Sequence, residues 1–186
     1  LTRIKLQLEM IKDKKLSQKL SLDVDEMEKM LNEYLQFAST GAKGKTETFD
    51  LSELLGNIIN RYENPNIIKN FDNKIYFNGR KNLIHRCINN LIDNSIKYGK
   101  KIKIIIKKEA SNIIISIEDD GPGIPESEYK NIVKPFYKID KSRSETKSSV
   151  GLGLSISSDI AKSHGGDIEF EKSSLGGLKA KIVLPV

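Results

Sequence analysis

The sequence predicts an α+β fold: a two-helix hairpin followed by an α/β sandwich, whose mixed, largely antiparallel sheet is covered by helices on one face. Two observations lead to this prediction. Apolar residues recur at alternating steps of three and four over the first 40 residues, which is typical of helices that pack in pairs. Isoleucines alternate with polar residues in later segments, as in strands with one buried and one wet face.

The composition indicates a compact chain in a reducing compartment. The 186 residues are 38% hydrophobic, and no apolar run approaches the ~20 residues that span a membrane. Cys87 is the single cysteine, so an internal disulfide and a Cys/His zinc site are both excluded. The net charge of +6 reflects lysine richness without interleaved aromatic residues. We therefore expect a cytoplasmic protein that binds no nucleic acid.

Residues 1–40 predict two helices. Steps of three and four lead from Leu1 to Ile11 and, after a lysine-rich break, from Leu20 to Ala38. One helix pair buries such a stripe poorly, whereas two copies would form a four-helix bundle. We therefore expect a homodimer through residues 1–40. The alternative is a hairpin that packs on its own globular domain.

A second domain is predicted at residues 49–186, after a polar linker at 41–48 that contains two glycines. Asp50 or Ser52 is expected to cap its first helix, and Gly99 to end the longest one. The predicted helices are 52–62, 82–98 and 153–164, and the predicted strands are 67–71, 74–77, 101–107, 112–119, 167–171 and 179–184.

An asparagine-rich motif lies on the helix predicted at 82–98. Asn90 and Asn94 are four residues apart and therefore share one helix face, with Lys97 and Tyr98 one turn later. Asparagine favours turns over helix interiors, so two of them on one face indicate a function. An amide oxygen is a hard ligand that suits Mg²⁺, and the lysine could neutralise phosphate charge.

A glycine motif follows the strand predicted at 112–119. The strand ends in Asp119, whose carboxylate could accept a hydrogen bond from an exocyclic amine such as adenine N6. Gly121 and Gly123 would let the backbone turn tightly and approach a ligand closely. The alternative is an ordinary hairpin turn, which an Asp-Gly pair also favours.

A second glycine motif opens the helix predicted at 153–164. Gly151 and Gly153 flank its start, where unpaired N–H groups and the positive end of the helix dipole favour phosphate. The motif lacks the Lys-Ser/Thr ending of a Walker loop. It also follows a polar segment and no strand, unlike a Rossmann fingerprint.

The order of these motifs resembles the ATP-binding domain of sensor histidine kinases, within the group that includes gyrase B, Hsp90 and MutL. Segment 89–99 (NNLIDNSIKYG) resembles the N box of that family, and 119–123 its first glycine box. Segment 134–137 (KPFY) resembles its F box, and 151–154 (GLGL) its second glycine box. The resemblance covers residues 49–186.

The resemblance implies ATP and Mg²⁺ as cofactors and a set of site residues. Lys97 and Arg143 would neutralise the γ-phosphate as catalytic cations, Asn94 would ligate Mg²⁺, and segment 138–149 would form a lid. Lys138 stands where the family usually has arginine. The implied nucleotide contacts are Tyr98 and Asp119 at the adenine, Asn90 and Asn94 at the metal and phosphates, and Gly121, Gly123, Ile124, Phe136, Lys138, Gly151, Leu152, Gly153 and Leu154.

The resemblance also implies a function, the core of a two-component sensor histidine kinase. The γ-phosphate would pass to a histidine and then to an aspartate of a response-regulator receiver domain docked on the hairpin. Residues 1–4 (LTRI) resemble the segment just after the family's acceptor box, so we expect the acceptor, and any membrane segment of the sensor, upstream of residue 1. His85 and His164 are expected to be structural. The alternatives are a non-catalytic, nucleotide-dependent interaction module and, third, a chaperone- or mismatch-repair-type ATPase.

Overall fold

The computed structural model describes residues 2–40, 45–63, 66–71, 74–139 and 151–186. The helices are α1 (Thr2–Glu9), α2 (Lys14–Thr40), α3 (Leu51–Ile59), α4 (Lys81–Tyr98) and α5 (Gly153–Lys162). The strands are β1 (Glu47–Asp50), β2 (Ile67–Asn70), β3 (Tyr76–Gly79), β4 (Ile102–Glu109), β5 (Asn112–Asp119), β6 (Asp167–Lys172) and β7 (Leu178–Pro185). Arg143 and most of the predicted lid lie outside the described residues.

Five strands form a mixed sheet in the order β2-β4-β5-β7-β6. Strands β2 and β4 are parallel, and the other neighbours are antiparallel. The alternating isoleucines of β4 and β5 face the helices and are buried with the apolar side of α4 in one core. The predicted α+β class is therefore confirmed. The core isoleucines of these two strands are Ile102, Ile104, Ile106, Ile113, Ile115 and Ile117.

A separate two-stranded ribbon, β1 with β3, was not predicted. Strand β1 begins at Glu47, inside the predicted linker, and β3 begins two residues later than the strand predicted at 74–77. The register follows from Phe49 and Phe77, which are paired across the ribbon and pack edge to face with ring centroids 6.1 Å apart. This pairing joins segments almost thirty residues apart, so local periodicity does not reveal it.

The helix ends distinguish between the predicted caps. The Asp50 carboxylate accepts hydrogen bonds from the N–H groups of Ser52 (2.9 Å) and Glu53 (3.3 Å), so Asp50 is the N-cap of α3. Helix α4 ends at Tyr98 as predicted. Gly99 follows in an extended conformation and donates its N–H to Ser95 O at 2.7 Å.

Helices α1 and α2 correspond to the two helices predicted over residues 1–40, and side chains connect them. Lys5 Nζ lies 2.7 Å from Asp25 Oδ1 and 2.6 Å from Glu28 Oε2. The Ser17 hydroxyl donates to Leu8 O at 2.7 Å. The ion pairs are exposed and therefore add little stability.

The predicted apolar stripe divides into buried and exposed residues. Leu8 and Val24 are buried, whereas Met27 and Leu31 are 51% and 48% exposed. Three stripe positions, Leu1 and the side chains of Tyr34 and Ala38, lie outside the described residues. None of the helices in the described ranges is long and apolar enough to cross a membrane.

Candidate functional site

The polar side of α4 forms one wall of the site. Its opposite side is buried in the core, which leaves Asn90, Asn94 and Lys97 half-buried along the other face. The Asn90 amide nitrogen donates to Gly153 O at 3.2 Å and so fixes α4 to the first turn of α5. Lys97 Nζ lies 5.3 Å from the centre of the Tyr98 ring. The two helices that carry predicted motifs thus meet directly.

The first turn of α5 presents backbone donors beside Asn90. Leu152 occupies the N-cap position, is buried, and makes no side-chain capping hydrogen bond. The hydroxyls of Ser155 and Ser157 donate back to the carbonyls of Leu152 (2.8 Å) and Gly153 (2.9 Å) and do not occupy the turn's N–H groups. An anion could therefore accept hydrogen bonds from this turn. Leu154 packs partly buried against the core.

The predicted F-box and second glycine box touch each other. Gly151 has φ +78°, and a Cβ there would lie 3.0 Å from Tyr137 O. Phe136 donates its N–H to Gly151 O at 3.0 Å. Phe136 itself has φ +63° and is 58% exposed, a strained position for an aromatic residue. Lys138 is half-buried at the end of this segment.

Asp119 is held rigidly at the end of β5. Its side chain is 5% exposed, and Oδ1 accepts hydrogen bonds from the N–H groups of Gly121 (2.9 Å) and Leu178 (3.1 Å). The Ser95 hydroxyl of α4 donates to Oδ2 at a longer 3.3 Å. Oδ2 therefore retains acceptor capacity, as recognition of an amine would require.

The Asp-Gly-Pro-Gly segment does not form the hairpin turn that the sequence left as an alternative. Strand β5 pairs with β4 and β7, and the segment leads into a short 3₁₀ helix, Glu126–Glu128. A Cβ on Gly121 would lie 2.8 Å from Tyr98 O, so glycine is needed where the loop crosses the end of α4. Gly123 has φ +70°, and Ile124 is half-buried after it.

The acidic residue next to Asp119 has a different task. Asp120 Oδ1 accepts hydrogen bonds from the N–H groups of Lys100 (2.6 Å) and Lys101 (2.8 Å). These two bonds, first that from Lys101, lower the pKa of Asp120 below its usual value. Asp120 therefore ties the loop after α4 to the end of β5, whereas Asp119 faces α4.

Sequence reasoning missed Gly177, which is central to the site. This glycine lies in the turn between β6 and β7, and its N–H donates to Asp119 O at 3.1 Å. A Cβ on Gly177 would collide with Asp119 Oδ1 and lie 2.5 Å from Gly121 N. The Gly-Gly pair at 176–177, between the last two predicted strands, is the available signal in the sequence.

The described residues fit a magnesium ion that is shared with phosphates. They contain no cluster of three or more His, Cys, Asp or Glu side chains that could enclose a metal. Mg²⁺ usually keeps several waters and takes few protein ligands besides substrate phosphates. Asn94 is half-buried on the same face of α4 as Asn90, which contacts the first turn of α5, so its amide oxygen is a ligand of the kind that such an ion takes.

Comparison with known proteins places this geometry in a family. Residues 79–186 match the family described as histidine kinase-, DNA gyrase B-, and HSP90-like ATPase. The sensor histidine kinase GtrS of Pseudomonas aeruginosa is 30% identical over the whole of this chain and 39% of its own length. The sensor histidine kinase WalK of Bacillus subtilis is 27% identical over 88% of this chain and 29% of its own length. The chain thus spans less than half of either relative.

Solved structures share the fold. The histidine kinase domain of the E. coli osmosensor EnvZ has a TM-score of 0.59 and 31% identity, covering 78% of this chain and 92% of that one. The Acinetobacter baumannii histidine kinase AdeS has a TM-score of 0.68 at 23% identity, covering 98% of this chain and 92% of that one. The resemblance to a histidine kinase ATP-binding core is therefore confirmed.

Proposed function

Because the chain belongs to the histidine kinase-, DNA gyrase B- and HSP90-like ATPase family, we propose that it binds Mg²⁺-ATP and delivers the γ-phosphate to a histidine. The main support is the hydrogen bond from Asn90 to Gly153 O (3.2 Å). It joins the polar face of α4 to the first turn of α5, so the side-chain amides of α4 lie next to backbone N–H groups that could bind phosphate.

The residues divide between the two ends of the nucleotide. Asp119 would accept the adenine amine through Oδ2 while its other oxygen stays fixed by backbone N–H groups, and the exposed Tyr98 ring would flank the base. Asn94 would ligate Mg²⁺, and Asn90 would keep the first turn of α5 in place under the phosphates. When bound, Mg²⁺ supplies charge neutralisation for the transferred group.

Cations and the segment between the F-box and α5 would complete the site. Lys97 would neutralise γ-phosphate charge, together with Arg143 from the proposed lid at 138–149. Lys138 offers a point charge, unlike the two-pronged guanidinium usual at that position. Such transfer depends chiefly on positioning and electrostatic stabilisation, which these groups could provide without forming a covalent intermediate on this domain.

The two histidines of the chain are poorly suited to accept the phosphate. His164 Nδ1 lies 2.8 Å from Ile160 O, and Nε2 accepts the N–H of Arg80 at 3.1 Å, so both ring nitrogens are engaged. His85 lies within 3.4 Å of the Arg61 guanidinium. The other ring nitrogen of His85, Nδ1, lies 3.0 Å from the Asn89 amide nitrogen, so both ring nitrogens of His85 also have polar neighbours. We propose that the acceptor is a histidine in a longer protein, and that a response-regulator aspartate receives the phosphate next.

Phosphate labelling tests this proposal. We expect the 186-residue chain, incubated with Mg²⁺ and ATP labelled in its γ-phosphate, to bind nucleotide without labelling His85 or His164. A protein extended upstream should gain an acid-labile label, because phosphoimidazole hydrolyses in acid. Strong labelling of either internal histidine would contradict the proposed acceptor. An extended protein that binds ATP but never labels would instead support the nucleotide-dependent interaction module.

We also propose a homodimer through α1 and α2, within the cytoplasmic part of a membrane-bound sensor. Met27 and Leu31 are about half exposed and lie four residues apart on one face of α2. Apolar side chains repeated in this way form the seam of helical bundles, and charge placed there is costly because it must be buried.

Replacing Met27 and Leu31 by glutamate is expected to convert the dimer into monomers, as measured by sedimentation equilibrium. Gln18 and Leu22 provide the matched control, because they lie nine residues before Met27 and Leu31 and hence on the opposite helix face. Glutamates at that second pair should leave the dimer intact. A monomer formed by the unaltered chain at high concentration, or equal effects of both pairs, would count against this interface.

A further inference from the structure

Two consecutive carboxylates of β5 hold one turn from opposite sides. Neighbouring residues of a strand point to opposite faces, so Asp119 faces α4 whereas Glu118 faces away from it. Glu118 Oε2 accepts hydrogen bonds from the Ser174 N–H (3.0 Å), the Ser174 hydroxyl (2.7 Å) and, more weakly, the Ser173 hydroxyl (3.4 Å). Both serines belong to the β6–β7 turn, residues 173–177.

The β6–β7 turn is closed by its own hydrogen bonds and so transmits displacement. Ser173 donates its N–H to Gly177 O at 2.9 Å, and Gly176 donates its N–H to Ser173 O at 3.1 Å. The Ser173 hydroxyl in turn accepts the Leu175 N–H at 2.9 Å. A shift of Ser174 at one side of the turn would therefore move Gly177 at the other side.

Gly177 and the residue after it set the orientation of Asp119. The N–H groups of Gly177 and Leu178 donate to Asp119 O and Oδ1, both at 3.1 Å. The contact is too close for any side chain at Gly177, since a Cβ there would lie 2.6 Å from Asp119 O. A movement of the turn would therefore disturb two of the hydrogen bonds that orient Asp119 and leave those from Gly121 and Ser95.

Glu118 is charged at a place where charge must be compensated. It is 3% exposed, and Lys179 Nζ lies 4.0 Å from Oε1. Burial by itself would favour the neutral acid, but the two hydrogen bonds from Ser174 and the charges of Lys179 and Lys103 outweigh it, so the pKa of Glu118 falls below its usual value. Hydrogen bonds to an ionised carboxylate are stronger than those to a neutral acceptor, so the three that Glu118 Oε2 accepts from Ser173 and Ser174 anchor the turn firmly.

We propose that Glu118 is a positioning residue for nucleotide recognition, which acts through Ser174 and the β6–β7 turn to aim the Asp119 carboxylate at the base. The inference rests on the proposed function, because it assumes that the site takes an adenine nucleotide. It predicts that Glu118 governs affinity for the base and has no influence on the phosphates, which bind at α5.

The test compares calorimetric dissociation constants of Mg²⁺-ATP and of magnesium tripolyphosphate, at a temperature where circular dichroism reports folded protein. Glu118→Ala should weaken ATP binding by on the order of tenfold, because it removes the anchor of the turn, and should leave tripolyphosphate unchanged. Glu118→Gln keeps one acceptor oxygen for Ser174 and should recover most of the loss. If Glu118→Ala does not fold, Ser174→Ala is used in its place and should weaken ATP binding by about threefold, again without changing tripolyphosphate binding.

Glu171→Ala is the matched control. Glu171 contacts Lys179 and Lys181 but lies in β6, outside the turn, so its removal should change neither ligand's affinity. Unchanged ATP affinity in folded Glu118→Ala would overturn this inference and leave the proposed function standing, and the same holds for Ser174→Ala if that variant is used. Equal losses of affinity for ATP and tripolyphosphate would also overturn it. Failure of the unaltered chain to bind ATP would overturn the proposed function together with it.

Discussion

Replacing Gly177 by alanine is expected to abolish ATP binding and to lower the free energy of unfolding by about 3 kcal/mol, the upper part of the range for forcing extra atoms into a packed site. The added Cβ would collide with Asp119 Oδ1 and lie 2.5 Å from Gly121 N. These atoms belong to β5 and to the loop after it, so relief would require breaking the hydrogen bonds between β5 and β7.

Urea denaturation and calorimetry with Mg²⁺-ATP would measure both effects. Gly56→Ala is the control, because Gly56 lies within α3 and a Cβ there would meet nothing within 4 Å. That variant should bind ATP normally and gain up to about 1 kcal/mol of stability from helix propensity. Wild-type affinity and stability in Gly177→Ala would show that the turn does not press on Asp119.

Asp119→Asn is expected to weaken ATP binding by about a hundredfold while leaving tripolyphosphate binding unchanged, because a donor would then face the amine of the base. The fold should survive. The retained amide oxygen can still accept from Gly121 and Leu178, and the new amide nitrogen can donate to the Ser95 hydroxyl, now 3.3 Å from Oδ2.

Titration of both ligands into the folded variant would decide whether Asp119 reads the base. Asp120→Asn offers a close control, since the Asp120 carboxylate accepts from the N–H groups of Lys100 and Lys101 and lies off the proposed base contact. It should leave nucleotide affinity unchanged. Equal losses for ATP and tripolyphosphate in Asp119→Asn would mean that Asp119 merely shapes the loop.

Elements with regular local patterns are predictable from this sequence. Helix α4 starts within one residue of its predicted position, and β5 has its predicted bounds, because each buries an apolar face of the expected period. Aspartate and serine are both common N-cap residues, so residue type does not distinguish Asp50 from Ser52. Asp50 is the cap because the chain before α3 is extended there and its carboxylate reaches the first N–H groups of the helix.

The features that sequence reasoning missed depend on contacts between distant segments. Strand β1 buries only Phe49, too little for a period, and is fixed by its partner β3. Ser95 looks like any small residue on an apolar helix face until Asp119 comes to lie beside it. Gly177 is required by atoms more than fifty residues earlier in the chain. Such requirements arise from packing and have no local signature.

Calorimetry with Asn94→Ala tests most directly whether the polar face of α4 and the first turn of α5 hold Mg²⁺-ATP, as we propose. Asn94 is half-buried on the polar face of α4, outside the apolar core, and should matter little to folding. Asn89→Ala is the control, because Asn89 contacts His85 at 3.0 Å and Tyr62 at 3.4 Å on the side toward α3.

We expect the unaltered chain to bind ATP in Mg²⁺, and Asn94→Ala to lose on the order of 2 kcal/mol of binding free energy. With the metal chelated, the two proteins should bind ATP equally weakly, and Asn89→Ala should match the unaltered chain throughout. Equal affinity of Asn94→Ala and the unaltered chain in Mg²⁺ would contradict the metal assignment, and absence of ATP binding by the unaltered chain would contradict the site itself.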